Sequence, residues 1–421
     1  MKLAVVVQRY GPGVYGGAER HARYIAEHLA QHADVEVLTT CAANDMTWAN
    51  EFAAGVETIN GVQVRRFRVS APESASTLAR FSERVFTETH SIADELRWLD
   101  ANTPNSRSLL RYLRKHGESY DFCLFVGYRS GLTYYGAHAA ASRAILVPRA
   151  DADPAIGARI FADVFQGARA ILFDSPEERS LVHAVCAAQD VPSAVIGAGA
   201  DVAQNPQPAQ FRQKRHIRAP FAIYVGRMDE RNCGDLLPFF ERYSQERGSR
   251  LSLVLVGEGP LAVPNHPKFI RVGSLDDAEK FDAIAAAEVV IVPSRYQSFS
   301  RTAVEAWGLG KPVLANGASK ALRGQCVRSN GGLCYRGAEE FVAMLQAIEQ
   351  NRWLNASLGK NGRQYVRDHL DWRVVGRKYH DMLSELQKKS PRPAPMTPIP
   401  GWLARRRRDV SASADRVGSI A

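Results

Sequence analysis

The 421-residue chain is too long for one ordinary domain, and 45% hydrophobic against 23% charged residues describes a globular protein with apolar material for two cores. Its formal net charge of +10 is uneven: residues 388–421 carry eight basic and two acidic side chains, so the body is only mildly basic, and no nucleic-acid reader motif accompanies the charge. No apolar run approaches the roughly 18 residues of a membrane span, and six scattered cysteines without a Cys-x-x-Cys pair argue against structural zinc and for core thiols in a reducing, cytoplasmic setting.

Residues 1–7 read as a first strand, too short for a leader and without a small-residue cleavage site. Beyond them, short apolar, β-branched runs alternate with longer helical patterns, as parallel sheets with crossover helices require. In the first half, strands are predicted at 3–7, 35–39, 62–69, 122–126, 144–147, 171–173 and 194–196. In the second half they are predicted at 221–225, 251–256, 269–272, 289–292, 312–315 and 333–335. A helical insertion is expected at about 81–116, with Phe86, Ile92, Leu96, Leu99 and Leu109 as its apolar positions. Residues 201–220, rich in Gln, Pro and Arg, read as a linker. A last amphipathic helix spans 372–387. Five prolines between Pro391 and Pro400 then exclude regular structure, which leaves 388–421 as a disordered basic tail. The four arginines Arg405 to Arg408 are either simply solvated or in peripheral contact with an anionic membrane.

The first predicted strand runs into Gly11-Pro12-Gly13-Val14-Tyr15-Gly16-Gly17 and then a helix. Gly11-x-Gly13-x-x-Gly16 matches the dinucleotide fingerprint in spacing and context. A nicotinamide dehydrogenase also needs an acid closing the second strand, but that strand ends Thr39-Thr40-Cys41 and Asp45 comes too late. The oxidoreductase therefore ranks as a distant alternative. Gly16 and Gly17 keep a meaning either way: they let the backbone approach a ligand at a helix start, where free N–H groups favour anions. Glu19 and Arg20 in the first turn read as a surface ion pair, and His21 and His28 as surface or packing residues.

The strand at 221–225 leads into Gly226-Arg227-Met228-Asp229-Glu230-Arg231, which puts Arg227 and Arg231 at the carboxyl end of a sheet strand, where ligands bind in open α/β sheets. Guanidinium groups there are suited to phosphate oxygens. After the strand at 289–292 comes Pro293-Ser294-Arg295-Tyr296-Gln297-Ser298-Phe299-Ser300-Arg301, then a helix containing Glu305. Backbone N–H groups of Ser298, Phe299, Ser300 and Arg301 would face an anion at this helix start, and the Glu305 carboxylate is suited to ribose hydroxyls.

These segments together resemble the retaining family 4 glycosyltransferases of the GT-B fold, over about residues 1–387. The family's hallmark is a glutamate, seven residues and a second glutamate within a segment like 293–315. Gly16-Gly17-Ala18-Glu19-Arg20 is similar to the family's first glycine loop, and Gly226-Arg227 to its phosphate-binding start. Arg231 matches its following basic residue with a spacing one shorter. Gly324-Gln325-Cys326 through Ser329-Asn330-Gly331-Gly332 resembles a bacterial polysaccharide and lipopolysaccharide branch. The resemblance implies two Rossmann-like domains with parallel sheets facing a central cleft: an acceptor domain at 1–200, a donor domain at 221–371, and the last helix packing back across both. It implies transfer of a sugar, with retained configuration, from a UDP- or GDP-linked donor to a glycan or lipid-linked acceptor. Neither metal nor cofactor is implied.

Two positions depart from the family. Gln297 stands where the first glutamate is expected, and Asp151, in Arg149-Ala150-Asp151-Ala152-Asp153-Pro154, stands where a histidine is usual. Both changes touch the sugar end of the site, so a catalytically weakened nucleotide-sugar-binding protein is the alternative. Asp151-x-Asp153 either mimics a metal-binding pair or caps the helix that follows. In the resembled fold Tyr10, Tyr15, Tyr128 and Arg129 would face the acceptor side, and ordinary loop packing explains them equally well.

Overall fold

The apolar runs become two sheets, each within its own compact unit of the computed structural model, which describes all residues except 15, 46, 71–73, 104, 200–201, 247, 391–409 and 419–421. Unit 1 comprises residues 1–196 and 376–421, and unit 2 comprises 197–375. Unit 1 holds β1 (Lys2–Val6), β2 (Asp34–Thr40), β3 (Gly55–Ile59), β4 (Val62–Phe67), β5 (Phe122–Val126), β6 (Ala144–Val147), β7 (Ala170–Phe173) and β8 (Ser193–Val195). They lie in the order β3-β4-β2-β1-β5-β6-β7-β8, all parallel except β3. Strands β1, β5, β6 and β7 are almost wholly buried, as a parallel sheet covered on both faces demands.

Strand β3 has no counterpart among the predicted runs. It is an antiparallel edge strand, exposed along nearly its whole length, so burial selects no apolar pattern in it. The hairpin signal was nonetheless present: Asn60 (φ 49°) and Gly61 (φ 81°) form the two left-handed positions of the turn into β4.

The expected insertion is three helices, Ala75–Thr87, Ile92–Asn102 and Arg107–His116, the first starting before residue 81. Each is N-capped by a serine: Ser74, Ser91 in a full capping box with Asp94, and Ser106. They bury Trp98, Leu99, Leu109 and Leu113 in the unit's main core.

Unit 2 contains β9 (Phe221–Val225), β10 (Ser252–Val256), β11 (Phe269–Gly273), β12 (Val289–Val292), β13 (Val313–Asn316) and β14 (Gly332–Tyr335). All are parallel, in the order β11-β10-β9-β12-β13-β14. Alternate residues of β9 enter different cores: Phe221 and Ile223 one, Ala222 and Tyr224 the other. Residues 201–220, read as a linker, include the helix Pro208–Lys214, which buries Phe211 in unit 2; Pro208 suits a first helical turn.

The tail also differs from expectation. Residues 391–409, with Arg405 to Arg408, lie outside the described residues. Val410, however, pairs with His90 in a β-bridge, and Ser413–Gly418 is a helix packed on the 3-10 turn Pro154–Gly157. Apolar side chains explain this return: Val410 and Val417 join the unit 1 core, and Arg416 donates to the carbonyls of Gly157 and Val185. Among the described residues no helix is long and apolar enough to cross a membrane.

Candidate functional site

In each unit the strand order reverses at one point, between β1 and β5 in unit 1 and between β9 and β12 in unit 2. Open α/β sheets bind ligands at such points, outside the carboxyl ends of the strands. Parallel pairing of Ala222 with Val289 and Ile223 with Val290 brings the loops after β9 and β12 out side by side. Those loops carry most of the predicted site.

On the β9 side, Gly226 follows the strand, and its N–H donates to the Val256 carbonyl at 3.0 Å. Arg227 is half exposed, with Nε 3.2 Å from Asp229 Oδ2. Its carbonyl accepts from the Tyr224 hydroxyl at 2.7 Å, which ties the loop down. Asp229 caps a one-turn helix, Glu230–Cys233, that carries Arg231. The Arg231 guanidinium stacks 4.2 Å from the centroid of the Tyr296 ring, a residue of the β12 loop. A cavity of about 460 Å³ opens between these loops, lined by Arg231, Asn232, Asp235, Pro293, Arg295 and Tyr296 among others. Arg227 and 297–301 are not part of its lining.

Two glycines that the sequence reading overlooked shape this edge. Gly257 (φ 135°) and Gly259 follow β10 and cross so close to the β9 loop that a Cβ would sit 1.9 Å from the carbonyl oxygens of Gly226 and Met228 respectively. Only a bare backbone permits the approach.

On the β12 side, Gln297 is half-buried, and Ser298, Phe299 and Ser300 are buried. Ser300 caps the helix Arg301–Gly308, its hydroxyl accepting from the Ala303 N–H at 3.2 Å. The Ser300 N–H, assigned above to an anion, donates instead to Gln325 Oε1 at 3.0 Å. Glu305 is also engaged: the ammonium of Lys280, on helix Asp277–Ala286, lies 2.9 Å from its Oε1, both side chains less than one-tenth exposed. Neither Gln325 nor Lys280 had been assigned a role. Lys280 is 25 residues from its partner and carries no sequence signal of the pairing.

Unit 1 presents its own edge. Gly16, extended at φ −178°, precedes helix Gly17–Leu29. A Cβ on Gly16 would lie 2.1 Å from Glu19 Oε2, so the glycine makes room for that carboxylate. Glu19 does not pair at the surface with Arg20. It is buried against Arg9, whose NH2 is 2.8 Å from Glu19 Oε1 and 3.5 Å from Asp45. Arg9 thus faces both Glu19, in the first turn of the helix after the glycine loop, and the late acid Asp45. His21, expected at the surface or in packing, is fully buried beside Asp174 at 3.4 Å.

Behind the loop after β6 lies a buried polar cluster. Arg149, left-handed at φ 56°, holds Asp174 Oδ2 at 2.8 Å and sits against Gly17. Glu178 accepts from the N–H groups of Ala150 and Asp174, and burial, then the Asp174 charge, pushes its carboxyl well above the usual range. This cluster fixes the backbone just before Asp151. Asp151 Oδ1 accepts from the Asp153 N–H at 3.1 Å. Asp153 spends one oxygen on the Ala155 N–H and the other on Arg129, which makes it the cap of the 3-10 turn Pro154–Gly157. Tyr10 and Tyr128 are buried core residues, and Tyr15 lies outside the described residues.

Gly226, Arg227, Arg231, Gln297, Ser298, Phe299, Ser300, Arg301 and Glu305 therefore share the β9/β12 edge of unit 2, whereas Gly16, Gly17 and Asp151 belong to unit 1.

Comparison with known proteins agrees with the architecture. The chain superposes on a sucrose-phosphate synthase from Thermosynechococcus elongatus with a TM-score of 0.67 and 18% identity, covering 91% of this chain and 98% of that one. Anabaena HepE in complex with UDP and glucose gives a TM-score of 0.67 and 14% identity, covering 91% and 99%. These neighbours are GT-B glycosyltransferases, and at such identity the likeness shows the fold: two parallel-sheet Rossmann-like domains. Among curated sequences, an MMP alpha-(1->4)-mannosyltransferase from Mycolicibacterium hassiacum is 29% identical over 181 residues, 40% of this chain. That match spans less than half of the relative, 43% of its length. Residues 219–351, the part of unit 2 that holds the β9/β12 edge, match the family of glycosyl transferases group 1.

Proposed function

We propose that the chain is a metal-independent glycosyltransferase that moves a sugar, with retention, from a UDP- or GDP-linked donor to a glycan or lipid-linked acceptor of the kind used in polysaccharide or lipopolysaccharide assembly, in the cytoplasm or at the inner membrane face. One observation carries this reading. Two arginine-bearing and anion-competent loops, 226–231 and 294–301, leave adjacent strands at the point where the unit 2 sheet reverses its order. The family match covers the same residues.

On this reading Arg227 and Arg231 hold the diphosphate together with the start of helix Arg301–Gly308. Gln297 contacts the donor sugar and Glu305 the ribose. Cleavage of the sugar–oxygen bond leaves charge on the diphosphate, and each preorganised donor aimed at that charge is worth about 3 kcal/mol of barrier. Asp151 faces the sugar or the acceptor hydroxyl. Calorimetric titration with UDP- and GDP-sugars tests the core of the proposal. Arg227→Ala is expected to abolish binding, and unchanged affinity would remove Arg227 from the site.

A catalytically weakened nucleotide-sugar-binding protein is the second reading. Gln297 brings no negative charge to a cationic sugar, and Glu305 is held by Lys280. Single-turnover assays separate the two. If Gln297→Glu with Asp151→His creates activity that the parent lacks, the second reading stands.

A further inference from the structure

Gln325 lies on helix Lys320–Ser329, which follows β13, and is 1% exposed. Its carboxamide is split between two situations. The oxygen accepts the Ser300 N–H at 3.0 Å, at the start of helix Arg301–Gly308. The nitrogen, Nε2, is buried and finds no hydrogen-bond partner among the described residues. Because Ser300 N–H is a donor, it fixes which end of the amide is which: oxygen toward Ser300, the NH2 group turned away from that N–H.

A buried amide nitrogen without an acceptor is costly, and native proteins seldom keep one without a reason. Here the orphan sits at the N-terminus of a helix, where backbone dipoles favour an anion. The neighbouring Ser300 hydroxyl is already spent as the helix cap on the Ala303 N–H. The Gln325 NH2 group is thus a buried donor with no acceptor among the described residues.

We propose that Gln325 is part of the anion site at the start of helix Arg301–Gly308: its oxygen holds the loop in place through Ser300, and its NH2 group donates to a phosphate oxygen of a bound nucleoside diphosphate. This deepens the donor-site reading above and rests on it. It also changes the assignment of the Ser300 amide, which acts through Gln325 instead of touching the ligand. The chemistry requires a carboxamide here. A carboxylate would keep the grip on the Ser300 N–H but present an oxygen, negatively charged, where the ligand needs a donor. Methionine would remove both ends of the contact.

The test uses the full chain with UDP and GDP as probes, in calorimetry and thermal denaturation, with uridine and guanosine as uncharged controls. Gln325→Glu is expected to lower thermal stability, because its carboxylate is buried with only the Ser300 N–H facing it, so its binding is measured well below its own Tm. Its affinity for the better diphosphate should fall by about tenfold to a hundredfold, the loss of one hydrogen bond to a charged group plus like-charge repulsion. Affinity for the matching nucleoside should not change, which a merely structural role would not produce. Gln325→Met should lose diphosphate affinity and also thermal stability. If wild type binds neither UDP nor GDP, the donor-site reading falls and this inference with it. If wild type binds and Gln325→Glu binds equally well, the donor site stands and the role of Gln325 is refuted. Equal losses for nucleoside and diphosphate would likewise refute it.

Discussion

Replacing Lys280 with methionine leaves the Glu305 carboxylate without its ammonium in the interior of unit 2. The native pair is 2.9 Å apart, with side chains 7% and 4% exposed. Exposed ion pairs are worth about 0–1 kcal/mol because water screens them, but this pair is not in water. Truncating one member of a buried pair costs about 3–5 kcal/mol, since the remaining charge keeps its desolvation penalty and loses its compensation. The reverse change is milder. In Glu305→Gln the ammonium retains Asp277 at 3.2 Å, a carboxylate 39% exposed, and the new amide oxygen still accepts a hydrogen bond. About 1–2 kcal/mol is expected there. The double variant should recover part of the Lys280→Met loss, because the partners touch and their effects do not add. Two units need not unfold together, so the readout is native-state amide exchange of helix Arg301–Gly308 followed by mass spectrometry. A smaller loss for Lys280→Met than for Glu305→Gln would refute the reasoning.

Gly257→Ala places a methyl group 1.9 Å from the Gly226 carbonyl at a backbone φ of 135°. It should cost at least about 2 kcal/mol and weaken UDP or GDP binding as the Arg227 loop shifts, and a variant as stable and as tight as wild type would remove the crossing from the account. His90 is held by Glu95 Oε1 at 3.0 Å and the Glu88 carbonyl at 2.8 Å. Burial pulls its pKa down, but these bonds with the charges of Glu95 and Asp94 outweigh burial and raise it above the usual value. The stabilisation is therefore complete below the ordinary histidine value of about 6.5 and is lost as pH rises through the raised one. The Tm gap between wild type and His90→Gln should narrow from pH 6 to pH 9, about one window on either side of the transition, and a constant gap contradicts the pairing. Turnover should also survive EDTA, and activity lost on chelation and restored by a divalent ion would overturn metal independence.

Much of the fold was legible because burial on both faces forces continuous apolar runs: the runs at 122–126, 144–147, 221–225 and 289–292 became strands with those same limits. The loops after β9 and β12 were legible too, since glycine or proline directly after an apolar run marks the end of a strand. What escaped detection depends on partners distant in sequence. Lys280 drew no reading and Glu305 was read toward ribose hydroxyls, yet packing of two helices makes them a buried pair. Gly257 and Gly259 matter only because another loop crosses them. The return of Val410 and Val417 to unit 1 was hidden by a run of prolines and arginines that obscured a short apolar pattern beyond it.

Unit 2 is one uninterrupted stretch of chain, whereas unit 1 is assembled from its first 196 residues and everything after 375. Tyr379, Leu383 and Leu386 are buried in unit 1, and Arg169 grips the end of their helix through the carbonyls of Leu386, Lys389 and Ser390. During synthesis, then, the half begun first is the half finished last. Its sheet emerges early with part of its apolar surface uncovered, and the second half can close on itself while the first still waits for its final helix to leave the ribosome.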